Sequence, residues 1–252
     1  RKIISHYKVR VIHAHLFHAM FMACIVKLVK PSIKVIWTAH SISLGSFVRE
    51  LITFLLRPFR NADILFFKGM NKFYNINNQY TIANGISFLD NDTIIHKNDK
   101  FTFLAVGRLE KVKNFKFLIN AMKFLNNNTQ LLIAGSGSQY KYLSDLINRN
   151  QLSDRVKLIG QSNEISILMK QSHCLLLCSK WEGMPLVIIE AGFFSLPIIT
   201  TPVGAIPYFF KNNYGYICQE KDFLDTMGYV YENYKMANVK AENFNKVVME
   251  KY

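Results

Sequence analysis

Apolar residues in the second half of the chain form short continuous runs that alternate with segments of helical spacing. Short apolar runs bounded by turn residues are typical of strands buried on both faces, whereas apolar positions three or four residues apart are typical of amphipathic helices. We predict strands at 101–107, 130–134, 156–159 and 174–178, and helices at 115–125, 140–148, 164–170 and 185–194. Strands and helices that alternate at this pitch indicate an α/β fold with a parallel, doubly wound sheet.

The first part of the chain shows the same alternation with weaker signals. We predict strands at 9–15, 34–38, 62–67 and 80–83, and helices at 16–30 and 47–56, the second of them ended by Pro58. A polar connector at 90–100 separates the two halves. We therefore predict a first domain at residues 1–97, a second domain at 98–235 and a helical tail at 236–252.

Two carboxylates, Glu182 and Glu190, lie eight positions apart around the start of the helix predicted at 185–194. Gly183 permits a sharp turn from strand to helix, and Pro185 suits the first helical position. Every other residue of that helix is apolar, so an ionised Glu190 needs a hydrogen-bonding partner from the protein or from a ligand. Glu190 lies about 7.5 Å along the axis from Pro185, near a helix N-terminus that favours anions. A nucleotide sugar, which offers hydroxyls beside a phosphate, would suit both features.

Four residues, Arg108, Gly135, Gly160 and Glu182, directly follow predicted strands. In doubly wound sheets, ligands bind beyond the carboxyl ends of the strands. We therefore expect the segments that carry these residues to meet at one rim of the sheet.

Several segments carry a resemblance to a known family, in the order and spacing of that family. From strongest to weakest they are 179–192, 196–207, 106–114 with its Gly-Arg-Leu and Lys-Asn signature, 133–137, Asn84–Ile86 and 11–15. On these segments the chain resembles the retaining glycosyltransferases of family 4, or glycosyl transferases group 1, which have the GT-B fold of two facing Rossmann-like domains. The strand at 9–15 resembles one midway through the family's N-terminal domain. We therefore expect that domain to be incomplete here and sugar transfer by this chain to be poor.

The resemblance implies that the rim binds a nucleotide diphosphate sugar and that no metal cofactor takes part. Arg108 and Lys113 would neutralise the diphosphate of the leaving nucleotide. Glu190 would bind the ribose hydroxyls, Glu182 would contact the transferred sugar, and His40 would lie near that sugar. The other substrate-binding residues that the resemblance implies are Gly135, Gly137, Gly183, Met184 and Leu186.

Structural explanations for the same residues stay open. Arg108 and Lys113 could be cations of a solvated loop, and Glu182 could be an exposed turn residue. Glu190 could form a buried salt bridge with a protein cation, and His40 could be a satisfied core histidine.

The two carboxylates also allow other functions. A hydrolase pair would face each other about 5 to 9 Å apart across a bond, which leaves the cationic loop at 108–114 unexplained. A nucleotide-sugar epimerase and a non-catalytic nucleotide-sugar-binding protein or partner subunit remain alternatives. Ala205 and Tyr208 keep the non-catalytic alternative open, because the family usually has a second Gly and an acidic residue in this loop.

The formal net charge is +14, with 31 Lys and Arg against 17 Asp and Glu. We expect no nucleic-acid partner, because the chain has no zinc-finger spacing, no aromatic RNA-binding motif and no basic helix of groove-reading character. The first 97 residues hold 13 Lys and Arg, 4 Asp and Glu and the apolar segment Leu51–Leu56. An anionic membrane surface with a lipid-linked or saccharide acceptor would explain this composition, and a merely basic solvated surface is the alternative.

Four cysteines, two of them in one predicted buried strand, indicate reduced core residues, and no apolar run reaches membrane-spanning length. We therefore expect a cytoplasmic protein, peripheral at most at the inner face of the plasma membrane. Four histidines, His13, His15, His18 and His40, lack neighbouring Cys, Asp or Glu, so we expect no zinc site. The predicted function is retaining transfer of a sugar to an acceptor hydroxyl in bacterial surface polysaccharide or glycolipid synthesis.

Overall fold

The computed structural model describes residues 6–67, 69–70, 72–82, 85 and 95–252. The chain divides into two units, Arg1–Asn84 and Gly85–Tyr252, and each is built on its own parallel sheet. The predicted α/β class with two Rossmann-like parallel sheets is confirmed. Residues 90–94 of the predicted connector, and Asn84 and Ile86 of the weak family match, lie outside the described residues. The predicted domain limits stay predictions.

The first unit forms a sheet in the order β1-β2-β3-β4, and every neighbouring pair is parallel. Parallel strands need crossover connections, and helices supply two of them. The strands are β1 Val11–His15, β2 Lys34–Thr38, β3 Ala62–Leu65 and β4 Gln79–Thr81, and the helices are α1 Leu16–Val29 and α2 Phe47–Leu55. The bounds of all six lie within 2 residues of the sequence prediction.

A buried ion pair joins three parts of the first unit. Arg60 Nε lies 3.0 Å from Asp63 Oδ1, and both side chains are fully buried. Arg60 also donates through Nη1 to the carbonyl oxygen of Thr53 in α2 (3.0 Å), and the Ile76 N–H donates to Asp63 Oδ2 (3.0 Å). The guanidinium carbon lies 4.8 Å from the ring centroid of Trp37 in β2. The pair therefore ties α2, β2 and β3 together.

The second unit forms a parallel sheet in the order β10-β9-β8-β5-β6-β7. Its strands are β5 Phe101–Val106, β6 Thr129–Ala134, β7 Val156–Gly160, β8 Cys174–Leu177, β9 Ile198–Thr200 and β10 Tyr216–Ile217. Its helices are α3 Phe115–Ala121, α4 Tyr140–Arg149, α5 Ile165–Gln171, α6 Leu186–Phe193, α7 Ile206–Phe209, α8 Phe223–Glu232 and α9 Tyr234–Lys251. Strands β5 and β8 are buried on both faces, as their continuous apolar runs predict.

The strand order of the second sheet reverses beside β5. The chain runs outward from β5 to β6 and β7 and then returns to β8 on the other side of β5, where Leu104 pairs with Leu175. In doubly wound sheets a ligand binds at such a switch point, in the crevice beyond the carboxyl ends of the two strands. The topology therefore points to the loops that follow β5 and β8.

Helix α9, which contains most of the predicted tail at 236–252, packs on α6. Gly192 permits the close contact, because a Cβ at this position would lie 2.5 Å from the Phe244 ring. Asn245 Nδ2 donates to the carbonyl oxygens of Gly192 (3.0 Å) and Phe193 (2.7 Å) at the end of α6. The tail thus holds in place the helix that carries Glu190.

The cysteines of both units are reduced. Cys24, Cys174, Cys178 and Cys218 are free thiols, and the first three are buried, as predicted. Burial raises the pKa of the Cys178 thiol to about 12, so it is not a thiolate at neutral pH. Within the described ranges, no helix has both the length and the apolar content needed to cross a membrane.

Candidate functional site

The loops after β5, β8 and β9 meet at one rim of the second sheet. The Lys180 N–H, after β8, donates to the carbonyl oxygen of Val112, after β5 (2.8 Å). The Ala205 N–H, after β9, donates to the carbonyl oxygen of Gly183, after β8 (2.8 Å). Backbone hydrogen bonds therefore hold the predicted site segments together at the switch point.

Two glycines permit the closest approaches on this rim. At Gly135, after β6, φ is 145° and a Cβ would lie 1.9 Å from the carbonyl oxygen of Gly107. At Gly204, φ is 58° and a Cβ would lie 2.2 Å from the carbonyl oxygen of Glu182. A larger residue at either position would push two loops apart. Gly135 thus has a structural reason to be glycine that is separate from its predicted contact with substrate.

Lys113 and Glu182 form an ion pair across the switch point. Lys113 Nζ, in the loop after β5, lies 2.6 Å from Glu182 Oε1, in the loop after β8. The side chains are 16% and 11% exposed, and Ser179 Oγ donates to the same carboxylate oxygen (2.6 Å). Lys113 is therefore not a cation of a solvated loop, and Glu182 is not an exposed turn residue; both structural alternatives are wrong. The structure brings into direct contact the residue predicted to neutralise the diphosphate and the residue predicted to contact the transferred sugar.

Glu190 lies near the start of α6, which has Pro185 as its N-cap. Its side chain is half-buried, and burial raises the pKa of the carboxyl. Among the described residues none forms a hydrogen bond or an ion pair with this side chain. Within that part of the chain, Glu190 therefore has no salt bridge to a protein cation, which was the structural alternative for this residue. A half-buried carboxylate without a partner is costly, and a ligand that donates hydroxyl groups would remove the penalty.

Arg108 is exposed on the same rim, close to Glu110. Ser138 donates to the Glu110 carboxylate through its backbone N–H (3.1 Å) and its hydroxyl (2.8 Å), and these bonds lower the pKa of Glu110. Glu110 therefore stays ionised and links the loop after β6 to the loop after β5. Exposure leaves both explanations of Arg108 open, a diphosphate contact and a solvated cation.

Three polar residues of the rim, Glu110, Ser138 and Ser179, are absent from the sequence prediction. Ser179 lies three residues before Glu182, and this spacing is the one signal that could have pointed to it. Glu110 and Ser138 belong to loops that follow different strands, so no local pattern marks their contact. Their position depends on β5 and β6 lying side by side.

Gly183, Met184 and Leu186 lie where the loop after β8 enters α6. In the first turn of a helix the backbone N–H groups lack intrahelical acceptors, so they can donate to an anion at that end. The Met184 side chain is buried and Leu186 is 38% exposed. The contacts predicted for these residues use the backbone, and burial of the Met184 side chain does not oppose them.

A cavity of about 500 Å³ borders the rim. It is lined by the loop after β5, the starts of α3 and α4, and Lys180. None of the described residues in the predicted site lines this cavity. We place the candidate site at the switch point instead, because the Lys113–Glu182 pair lies in the loops there and Glu190, which no described residue partners, lies in the helix α6 that follows.

His40 lies in the first unit, where three histidine rings gather at the carboxyl ends of β1 and β2. His40 Nε2 lies 2.7 Å from His15 Nδ1, so one ring donates to the other. The His13 ring centroid lies 4.4 Å from that of His15, and its Nε2 lies 2.7 Å from Thr38 Oγ1. Burial lowers the pKa of both His13 and His40, which favours their neutral forms.

A role for His40 beside the sugar stays a prediction. The described residues include no group of three or more His, Cys, Asp or Glu placed to hold a metal ion. The ring of His40 also contacts Phe66, with the centroids 5.1 Å apart. His40 is half-buried and has a histidine partner, so the explanation of a satisfied histidine also stays open.

Residues 90–247, more than half of the chain, match the family described as Glycosyl transferases group 1. An Escherichia coli relative, UDP-Gal:alpha-D-GlcNAc-diphosphoundecaprenol alpha-1,3-galactosyltransferase, is 31% identical over 167 residues, which cover 60% of this chain and 42% of the relative. The amylovoran biosynthesis glycosyltransferase AmsD of Erwinia amylovora is 29% identical over 150 residues, which cover 57% of this chain and 43% of AmsD. The chain thus spans less than half the length of these curated relatives.

Solved structures share the fold along the chain. The crystal structure of Anabaena Alr3699/HepE in complex with UDP has a TM-score of 0.85 and 16% identity, and the match covers 100% of this chain and 77% of that one. Sucrose-phosphate synthase from Thermosynechococcus elongatus has a TM-score of 0.83 and 17% identity, with 99% and 71% covered. At such identities the likeness shows the fold alone.

Proposed function

This chain belongs to the glycosyl transferases group 1 family, and we propose that it transfers a sugar from a nucleoside diphosphate sugar to an acceptor hydroxyl, with retention at the anomeric carbon. The observation that carries the proposal is the half-buried Glu190 carboxylate, which no described residue partners. It lies in the helix α6, one turn after the helix start, and this helix follows the Lys113–Glu182 pair at the switch point. A nucleoside diphosphate sugar offers hydroxyls to Glu190 and an anion to Lys113.

Donor binding would divide the Lys113–Glu182 pair. In the free protein Lys113 Nζ lies 2.6 Å from the Glu182 carboxylate. A diphosphate at the start of α6 would attract Lys113 and the exposed Arg108. Glu182, still held by Ser179, would then accept hydrogen bonds from hydroxyls of the transferred sugar. Glu190 in its ionised form would accept the ribose hydroxyls.

The transfer step breaks the bond between C1 of the sugar and an oxygen of the diphosphate, and it forms a bond between C1 and the acceptor oxygen. Negative charge develops on the diphosphate as it leaves, and Lys113 and Arg108 would stabilise that charge. Retention places the acceptor on the face from which the diphosphate departs. The departing diphosphate oxygen is then the base that takes the acceptor proton, and the scheme uses no metal ion.

The relatives support a lipid-linked or saccharide acceptor and a role in surface polysaccharide or glycolipid synthesis. The Escherichia coli relative is named for a diphosphoundecaprenol-linked acceptor, and the Erwinia amylovora relative for amylovoran biosynthesis. The Anabaena structure contains UDP, which makes UDP the first nucleotide to test.

The substitution Glu190→Gln tests the proposal by nucleotide binding. A hydrogen bond to a charged group is worth about 1.5 to 3 kcal/mol, so we expect UDP affinity to fall by about 10- to 150-fold while the chain stays folded. Titration calorimetry with UDP measures the affinity. The matched control is Glu242→Gln, at an exposed position of α9, and it should bind UDP like the unmodified chain.

Three outcomes would count against the proposal. Unchanged UDP affinity in Glu190→Gln would contradict the ribose role. Tight binding without transfer to any acceptor would favour the non-catalytic alternative. Conversion of the donor sugar in the absence of an acceptor would favour an epimerase.

A further inference from the structure

Helix α2 turns its apolar face away from the first unit. Surface helices ordinarily bury their apolar stripe against the core. In α2 the one fully buried residue is the polar Thr53. The exposed residues include Phe47 (72%), Val48 (62%), Leu51 (41%), Phe54 (38%) and Leu55 (63%). At 100° per residue these positions span an arc of about 120° on one side of the helix.

Hydrogen bonds hold the polar side of α2 inward. Arg60 Nη1, from outside the helix, donates to the carbonyl oxygen of Thr53 (3.0 Å). Glu50 Oε1 accepts from Ser43 Oγ (3.3 Å) at the loop before the helix. A rotation of α2 that buried its apolar side would break these bonds and disturb the buried Arg60–Asp63 pair. Contacts within the first unit therefore fix the orientation of α2 with its apolar side toward solvent.

The exposed apolar surface extends beyond the helix. Phe73 is 52% exposed, and its ring centroid lies 5.9 Å from that of Phe54. An arginine borders the surface, because the Arg57 guanidinium carbon lies 5.2 Å from the ring centroid of Phe54. We call the following residues the α2 patch: Phe47, Val48, Leu51, Phe54, Leu55 and Phe73. A contiguous exposed patch of this kind marks an interaction site.

The charge of the first unit indicates what covers the α2 patch. Residues 1–84 contain 12 Lys and Arg but only Glu50 and Asp63 as acids. Asp63 forms the buried ion pair with Arg60, and Glu50 accepts a hydrogen bond from Ser43 in the loop before α2. An apolar face with an arginine at its border, in a unit of strong positive charge, complements the surface of an anionic bilayer. Aromatic rings would enter the boundary between headgroups and acyl chains, and the Arg57 guanidinium would meet lipid phosphates.

We propose that the α2 patch docks the first unit on an anionic lipid bilayer, with α2 lying in the plane of the interface. The proposal goes beyond the sugar transfer proposed above and does not depend on it. It is compatible with a lipid-linked acceptor, which would be presented at the same surface. Arg57 would contribute about fivefold to the affinity for anionic vesicles at moderate salt.

Vesicle sedimentation of the 252-residue chain tests the proposal. The vesicles are phosphatidylcholine alone, or phosphatidylcholine mixed with phosphatidylglycerol. We expect binding to the mixed vesicles, weaker binding at high salt, and at least a tenfold loss in the double variant Phe47→Ser, Leu51→Ser. Both positions are exposed, so the substitutions should leave the fold intact.

A matched control changes two exposed apolar residues of the second unit. Phe124→Ser and Met249→Ser remove side chains that are 74% and 65% exposed, and this double variant should bind vesicles like the unmodified chain. In a third variant, Phe54→Trp, the new indole should shift its emission to the blue with mixed vesicles and not with phosphatidylcholine alone. UDP affinity of all three variants should be unchanged, which separates this proposal from the proposed function.

Clear results would overturn the docking proposal. No binding of the unmodified chain to mixed vesicles would reject it, as would equal binding by Phe47→Ser, Leu51→Ser. A dimer in solution that this double variant dissociates, without any vesicle binding, would show that a second copy of the chain covers the patch instead.

Discussion

Two carboxylates, Asp63 in the first unit and Glu190 in the second, are both withdrawn from water but have opposite surroundings. Asp63 is fully buried, paired with Arg60 and bonded by the Ile76 N–H. Glu190 is half-buried, and no described residue donates a hydrogen bond to it. A buried charge with a structural role needs its hydrogen-bonding and ionic partners from the protein itself. A carboxylate that binds a ligand instead keeps its acceptor oxygens free for that ligand. The comparison therefore separates a structural carboxylate from a functional one.

The largest expected effect is on the structural side. Asp63→Ala leaves the Arg60 guanidinium buried and unpaired, so we expect the free energy of unfolding to fall by about 3 to 5 kcal/mol. Urea unfolding followed by the fluorescence of Trp37, which packs against Arg60, measures the loss. The control Asp154→Ala, at an exposed position, should change stability by less than about 0.5 kcal/mol. A loss for Asp63→Ala as small as the control's would break the comparison.

The next effect is on the functional side, at the switch point. Lys113→Ala removes a cation from the leaving diphosphate, and we expect transition-state stabilisation to fall by about 2 to 4 kcal/mol. The ratio kcat/KM for sugar transfer, measured with a chelator present, reports this loss. Lys111→Ala, an exposed neighbour in the same loop, is the matched control and should keep its activity. Full activity of Lys113→Ala under these conditions would refute the role of Lys113 in stabilising the leaving diphosphate.

The smallest effect is on pH dependence, and it isolates the charge of Glu190. Burial raises the pKa of this carboxyl, so the folded chain holds the proton more tightly than the unfolded chain does. Stability therefore falls as the pH rises through the raised pKa. Glu190→Gln cannot ionise, and without ligand we expect it to gain about 1 kcal/mol over the unmodified chain at about pH 8 and nothing near about pH 4.

Urea unfolding at the two pH values measures this gain. The variant Glu242→Gln, at its exposed position, should show no pH-dependent gain. A gain of equal size at both pH values would mean that ionisation of Glu190 does not destabilise the fold. The contrast between Glu190 and Asp63 would then be wrong.

Features that depend on neighbours along the chain are predictable from the sequence. Gly183 and Pro185 predict a helix start, and α6 begins at Leu186. The apolar residues around Glu190 predict a carboxylate in need of a partner, and the structure shows it half-buried and without one among the described residues. Continuous apolar runs predict the buried strands β5 and β8, because a strand covered on both faces needs apolar side chains on both.

Contacts between distant segments are not predictable in the same way. Lys113 and Glu182 are 69 residues apart, and their ion pair exists because β8 returns to lie beside β5. The sequence places both residues after strands but does not state the strand order. The Arg60–Asp63 pair spans three residues, yet its strength as an anchor depends on Thr53, Trp37 and Ile76 from other elements.

The sequence by itself determined the alternation of strands and helices, the α/β class, and the isolation of Glu190 in an apolar helix, since each depends on side chains within one or two turns of chain. Only the tertiary structure decided which loops share the rim, that Lys113 neutralises Glu182 in the free protein, and that α2 faces its apolar side outward. Periodicity identifies an amphipathic helix but does not specify which face meets the core. That choice depends on contacts between elements, such as the hydrogen bond from Arg60 to the Thr53 carbonyl oxygen, which form only once the chain has folded.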